Sequence, residues 1–293
     1  MINKQKFKGA EGVSIIIPVY NEEDAIDDVV DSVIKAVAKT SYDQEIIVVD
    51  DGSTDRTSEI LAKKDVKVIR HQDNCGYGSA LKTGLRNSQY GLIAIIDADG
   101  SYPSREIPRL MENLQDADMV VGARTGEKVN IPILRKPAKY LLNKLANYLS
   151  GAKIPDLNSG LRIIRKEVIN KYLHLLPNGF SFTTTITLAL TTNGHLVNYL
   201  PINYHKREGR SKIRPFYDTL NFLQLIIRTI LYFNPLKFFL PISGGLFFIG
   251  LIFLMYRIFI AKAFITVIII LFVSAFQILA IGMLADLIDK RMR

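Results

Sequence analysis

The chain has 293 residues, one cysteine, a formal net charge of +9, and hydrophobic residues make up 48% of it. A single cysteine excludes an intrachain disulfide framework and suits a reducing compartment. The apolar content lies at the upper edge of the soluble range and is concentrated after Phe216, so the tail calls for a different solvent from the rest.

Met1 to Lys8 is polar and basic with no apolar run behind it, which predicts no signal peptide and a cytoplasmic soluble part. Five short apolar runs follow: Val13–Ile17, Glu45–Val49, Val66–Ile69, Leu92–Ile96 and Met119–Val121. Runs this rich in Ile and Val suit strands buried on both faces of a parallel sheet. Between them, Val29, Val30, Val33, Ile34 and Val37 recur at helical spacing behind Glu22, Glu23 and Asp24. Ser53-Thr54-Asp55 opens a second predicted helix and Gly78–Leu85 a third. Alternating strands and helices predict a doubly wound α/β fold, in which ligands bind at the carboxyl ends of the strands. Those ends carry Tyr20, Asn21, Asp50, Asp51, Asp97, Asp99 and Arg124.

Further along, Arg135–Leu149 and Phe180–Leu190 read as helices and Leu196–Pro201 as a late strand. A basic cluster of His205, Lys206, Arg207, Arg210, Lys212 and Arg214 precedes the apolar tail. That placement favours lipid headgroups or a lipid phosphate over nucleic acid, with a solvated basic loop as the alternative. Phe216–Phe233 is apolar but broken by Asp218, Asn221, Gln224 and Arg228, the pattern of a helix lying in a membrane interface. Leu236–Tyr256 and Phe264–Leu284 are each about 20 residues, enough to cross a hydrocarbon core of ~30 Å. The short link between them predicts a hairpin. It returns Lys290, Arg291 and Arg293 to the side of the soluble domain, in agreement with a cytoplasmic soluble part.

Asp97-Ala-Asp99 follows a buried strand and precedes Gly100. Carboxylates two residues apart can share one hard divalent cation, Mg²⁺ or Mn²⁺, and bridge it to a diphosphate; the bland alternative is a turn rich in Asp and Gly. Asp50-Asp51-Gly52-Ser53-Thr54-Asp55 offers carboxylates to a base or ribose, while Ser53 or Thr54 can cap the next helix. Cys75 reads as structural, and His71, His174, His195 and His205 make no ligand-spaced pair in sequence.

Ser14-Ile-Ile-Ile-Pro-Val-Tyr-Asn-Glu-Glu23, Ile47-Val-Val-Asp-Asp-Gly-Ser-Thr-Asp55, Asn74-Cys-Gly-Tyr-Gly-Ser-Ala-Leu-Lys-Thr-Gly84 and Asp97-Ala-Asp99 together resemble the family 2 glycosyltransferases with the GT-A fold. The resemblance covers roughly Val13 to Ile213. Gly122-Ala-Arg124, Asp156-Leu-Asn-Ser-Gly160, Arg207-Glu-Gly-Arg-Ser-Lys212 and Asn234-Pro235 make it most similar to the dolichyl- or polyprenyl-phosphate sugar synthases.

The resemblance implies a GT-A domain over residues 1–213, an interfacial helix over 214–234 and a transmembrane hairpin over 235–293. It implies donor binding by Pro18, Tyr20, Glu22, Asp50, Asp51, Asp97, Ala98 and Asp99, with the metal on Asp97 and Asp99. Arg124, Arg135, Arg207, Ser211 and Lys212 would meet the acceptor phosphate, and Asp97, Asp99, Arg124 and Arg207 would carry the catalysis. Mannosyl-type relatives often place Gln where this chain has Ser101, which leaves the sugar and the metal's third side-chain ligand open.

The implied reaction is inverting transfer of a hexose from a UDP- or GDP-linked donor to a polyprenyl phosphate in the membrane. A homo-oligomer is compatible with the hairpin, and nucleic acid is not an expected partner. Other membrane-associated acceptors and a non-enzymatic scaffold remain as alternatives. A processive polysaccharide synthase would need a Q-x-x-R-W motif, and the chain has no tryptophan. A dinucleotide-binding dehydrogenase would need a glycine-rich turn where Pro18-Val-Tyr20 stands.

Overall fold

The computed structural model describes residues 12–126, 144, 146–148, 150–205, 227, 231, 235–259 and 264–292. Seven strands form one sheet: β1 (Gly12–Val19), β2 (Asp43–Asp50), β3 (Lys67–Arg70), β4 (Leu92–Ile95), β5 (Met119–Ala123), β6 (Arg162–Arg165) and β7 (Val197–Pro201). Among the described residues the sheet is flanked by helices α1 (Ile26–Val37), α2 (Thr57–Leu61), α3 (Tyr77–Asn87), α4 (Ile107–Glu112), α5 (Lys166–Tyr172) and α6 (Phe182–Thr192). Two long helices follow, α7 (Pro235–Phe259) and α8 (Ile265–Met292).

The strand order is β3-β2-β1-β4-β6-β5-β7. β1 is fully buried because its side chains alternate between two covered faces. Ile15 and Ile17 pack with Val30 and Val33 of α1 and with Leu110 of α4. Ile16 points the other way, toward Leu81 and Leu85 of α3 and Phe182 and Ile186 of α6. Gly84 lets α3 approach closely, since a Cβ there would lie 2.5 Å from Ile16 Cγ2.

The sheet is mixed rather than wholly parallel. β6 runs antiparallel to both β4 and β5, and the other pairings are parallel. Apolar runs alone did not reveal β6, because it is four residues long and bracketed by Arg162 and Arg165. Its reversal matters for the site. The carboxyl ends of β1, β2, β4 and β5 share one edge, and the antiparallel β6 brings its amino end, with the loop before it, to that same edge.

The first turn of α7 docks on the catalytic domain through Phe238, which packs with Ala146, Ile154, Leu157 and Leu188. α7 and α8 then pair as a hairpin. Ser243 Oγ donates to the carbonyl of Ala275 at 2.8 Å, and Gly250 faces Phe272. Both helices are long and apolar enough to cross a membrane, over Pro235–Phe259 and Ile265–Ile288. Most of the expected interfacial helix over 214–234, and much of the expected helix over Arg135–Leu149, lie outside the described residues.

Gly84→Ala should overpack the contact between α3 and β1. Loss of roughly 1–3 kcal/mol is expected, read as a lower midpoint in denaturant for the catalytic domain.

Candidate active site

The loops after β1 and β2 are tied together before any ligand is considered. Asn21, at φ +51, accepts from the Thr54 backbone N–H at 2.7 Å, and its own N–H donates to Ser53 Oγ at 3.0 Å. The Glu22 N–H donates to Thr57 Oγ1 at 3.0 Å, and Glu23 Oε2 accepts from the Arg56 side chain at 3.1 Å. Pro18 is buried at the end of β1, while Tyr20 and Glu22 are half-buried beyond it.

The two carboxylates at the end of β2 are held by loops, Asp50 by its own and Asp51 by the one after β3. Asp50 accepts from the Ser53 N–H at 2.9 Å and from the Ser58 hydroxyl, and is drawn into its own turn. Asp51 accepts from His71 Nδ1 at 2.7 Å, the Cys75 N–H at 3.0 Å and the Gly76 N–H at 2.8 Å. Asp51, His71 and Cys75 thus come within ligand distance of one another, a cluster that sequence spacing did not foretell. His71 Nε2 pairs with Thr83 Oγ1 at 2.9 Å, so hydrogen bonds already explain the grouping.

The end of β4 is different. Asp97, Ala98, Asp99 and Gly100 turn at φ +70 on the glycine, which suits a residue without Cβ. Tyr77 Oη donates to Asp97 Oδ1 at 2.8 Å. Gly160, in the loop before β6, lies so close that a Cβ would sit 2.0 Å from Asp97 Oδ2. Asp99 is buried and accepts at Oδ1 from both the N–H and the hydroxyl of Ser101.

Loss of hydration pushes the Asp97 carboxyl up to about 6, and the negative charge of Asp99 adds to the shift. The Tyr77 hydrogen bond and the positive charges of Arg124 and Arg162 pull the other way. Two carboxylates crowded into a place poor in water form a donor set of hard oxygens with excess negative charge. That is the environment a divalent cation relieves, so Asp97 and Asp99 fit Mg²⁺ or Mn²⁺.

Arg124 follows β5. Its Nε donates to Asp156 Oδ2 at 2.7 Å, and its Nη2 to Asp156 Oδ1 at 2.8 Å and Asn158 Oδ1 at 2.6 Å. Tyr204 lies under the guanidinium, 5.2 Å from ring centroid to Cζ. Proximity to Tyr102 and Asp156 raises the Arg124 pKa against the opposing effect of burial, so the group stays charged. Among the described residues, its Nη1 makes no hydrogen bond.

Arg162 is fully buried behind the site, a role that its place in a short strand did not announce. It donates from Nε and Nη2 to the Ser159 carbonyl and from Nη1 to the Thr183 carbonyl and Thr187 Oγ1, each at 3.1 Å. It therefore pins the loop carrying Gly160 to α6. Helix α6 itself contains no carboxylate.

The structure thus brings Asp97, Ala98, Asp99, Ser101 and Arg124 to one edge. Asp50 and Asp51 are held in loop networks, and Ser101 orients Asp99 through its hydroxyl. Arg135, Arg207, Ser211 and Lys212 lie outside the described residues.

Residues 14–173 match the glycosyl transferase family 2, and residues 234–290 match the GtrB C-terminal hairpin. The chain belongs to glycosyltransferase family 2. An undecaprenyl-phosphate 4-deoxy-4-formamido-L-arabinose transferase of Edwardsiella ictaluri is 32% identical over 70% of this chain and 64% of its own length, just under two thirds. A dolichyl-phosphate hexose transferase of Haloferax volcanii is 30% identical over 70% of this chain and 88% of its own. A dodecaprenyl-phosphate galacturonate synthase of Rhizobium johnstonii is 27% identical and covers 95% of this chain and 88% of its own, hairpin included. Glucosyl-3-phosphoglycerate synthase from Mycobacterium tuberculosis, solved with Mn²⁺, UDP and phosphoglyceric acid, superposes with a TM-score of 0.60 at 19% identity. It covers 75% of this glycosyltransferase and 78% of the solved chain, and shows the shared GT-A fold.

A raised carboxyl pKa fixes the sign of one pH effect. The folded chain holds the Asp97 proton more tightly than the unfolded chain does. The contribution to stability is therefore fully present below the unfolded value and is lost as pH rises through about 6. In metal-free buffer, Asp97→Asn should melt higher than the parent at pH 8, and the gap should narrow by pH 5 and close only below the ordinary carboxyl value of 3.8.

Proposed function

We propose that this glycosyltransferase moves a hexose from a UDP- or GDP-linked donor onto the phosphate of a polyprenyl or dolichyl lipid, with inversion at the anomeric carbon. The observation that carries this reading is the joint placement of the acid pair Asp97 and Asp99 and the cation Arg124 at one strand edge of a domain anchored by an apolar hairpin. The relatives named above as polyprenyl- and dolichyl-phosphate transferases support the acceptor class.

Charge governs the chemistry. A divalent cation on Asp97 and Asp99 would neutralise the donor diphosphate and the charge that develops on it as it leaves. Pro18, Tyr20, Glu22, Asp51 and Ala98 would line the donor side. An acceptor phosphate has its second pKa near ~6 and is largely dianionic at neutral pH. One of its oxygens attacks the anomeric carbon, the bond to the diphosphate oxygen breaks, and no proton has to be removed. The lack of a carboxylate on α6 suits such an acceptor, because a hydroxyl would need a general base. Arg124 through Nη1, with Arg135, Arg207, Ser211 and Lys212, would draw in the lipid phosphate and offset its repulsion from the donor.

The hairpin would hold the site against the membrane surface where the lipid headgroup lies, with the catalytic domain on the cytoplasmic side. Phe238 supports this, since it couples the first turn of the hairpin directly to the domain.

A panel of nucleotide sugars, offered with undecaprenyl or dolichyl phosphate and read by mass spectrometry, tests the reading. One lipid-phosphate-sugar product is expected, formed only with Mg²⁺ or Mn²⁺. No product from any donor would refute it. Asp99→Ala should lower turnover by ~100-fold or more, in the range of lost charge stabilisation at a transition state. Deletion from Leu236 onward should preserve nucleotide binding and impair transfer to long-chain lipid far more than transfer to a short, water-soluble prenyl phosphate.

A further inference from the structure

Tyr77 is the first residue of α3, and its hydroxyl is the one side-chain donor to Asp97 among the described residues. On the other side of the carboxylate, Gly160 makes room for it, since a Cβ there would lie only 2.0 Å from Oδ2. The Asp97 carboxylate thus sits between a hydroxyl donor and a position that only a residue without Cβ can fill.

Tyr77 is itself held from two directions. Its ring stacks on Phe180 with centroids 5.8 Å apart and planes inclined at 16°. The loop leading to Phe180 is clamped on the amino end of α3: the Ser79 N–H donates to the Asn178 carbonyl at 3.0 Å, and Lys82 Nζ to Asn178 Oδ1 at 2.8 Å. Gly76 and Gly78 make the clamp possible, because a Cβ at either would meet the Asn178 or Pro177 carbonyl at 2.6 Å or 2.2 Å.

Resting on the cation-dependent reading above, we infer that Tyr77 is a positioning residue: its hydroxyl orients the Asp97 carboxylate toward the divalent cation and the donor diphosphate. Ser101 makes the equivalent bond to Asp99, so each acid of the pair has its own hydroxyl. Partners that orient metal ligands in this way typically contribute ~10–100-fold to metal affinity or activity. A tyrosine that merely fills space would contribute through its ring, which the stack with Phe180 already accounts for.

Tyr77→Phe keeps the ring and removes one oxygen. The full chain in detergent is titrated with Mn²⁺ in the presence of UDP or GDP, and free Mn²⁺ is followed by electron paramagnetic resonance. Binding should weaken by ~10-fold or more, while the melting temperature in EDTA stays near that of the parent. Excess Mn²⁺ should recover part of the lost turnover. Phe180→Ala, which spares the hydroxyl, should bind Mn²⁺ like the parent. Unchanged Mn²⁺ affinity in Tyr77→Phe would overturn the inference, as would an equal loss in Phe180→Ala. A parent protein that binds Mn²⁺ no better than Asp99→Asn would overturn the cation reading itself, and this inference with it.

Discussion

Two neighbouring carboxylates at the end of one strand, Asp97 half-buried and Asp99 buried, set the terms for the rest of this molecule. Asp97 and Asp99 leave β4 in one turn, where loss of hydration first, and the charge of Asp99 second, drive the Asp97 pKa up to about 6. Isolated charges in such a place are costly unless paired or bound to a metal. The surroundings are arranged to tolerate them. Tyr77 and Ser101 supply hydroxyl donors, Gly160 supplies space, and Arg124 and Arg162 supply positive potential without bonding Asp97 directly. The reversed strand β6 is what makes this possible, because it delivers the 156–160 loop and the Arg162 side chain to an edge otherwise built from parallel strands.

Much of this was readable in the sequence, for a physical reason. Buried parallel strands must be apolar along their whole length, so β1, β2, β4 and β5 stand out, and the polar residues that follow them must sit at one edge. The acid pair and Arg124 were found in that way. Less was readable where a residue's partner is distant in the chain. Tyr77 gave no signal, since its bond to Asp97 spans twenty residues and crosses from helix to strand. Arg162 lies in a strand that the apolar runs did not reveal, and it is a buried brace. Asp50 and Asp51 looked alike as ligand carboxylates, yet a backbone N–H of its own turn claims Asp50, and N–H groups of the loop after β3 claim Asp51. Local pattern reveals where a strand ends. It does not reveal which donors fold back onto it.

Two solvents meet at Phe238. Above it, the core is closed on both faces of the sheet; beyond it, α7 and α8 expose large apolar side chains such as Phe248, Ile252, Phe276 and Leu284 along most of their length. Exposure on that scale is stable in hydrocarbon and not in water. The glycosyltransferase domain and its hairpin are joined by packing as well as by chain. On the lipid-acceptor reading proposed above, with the hairpin in a bilayer, that packing would hold the site at the height of the lipid phosphate and raise the local concentration of acceptor without any contact to the lipid tail.

The most direct measurement is anomalous diffraction from crystals of the full chain soaked with Mn²⁺ and a nucleoside diphosphate. A single strong Mn²⁺ peak between the carboxylates of Asp97 and Asp99, touching the diphosphate, is the predicted result. A peak at Asp51, His71 and Cys75 instead, or bound nucleotide with no metal beside Asp99, would contradict it.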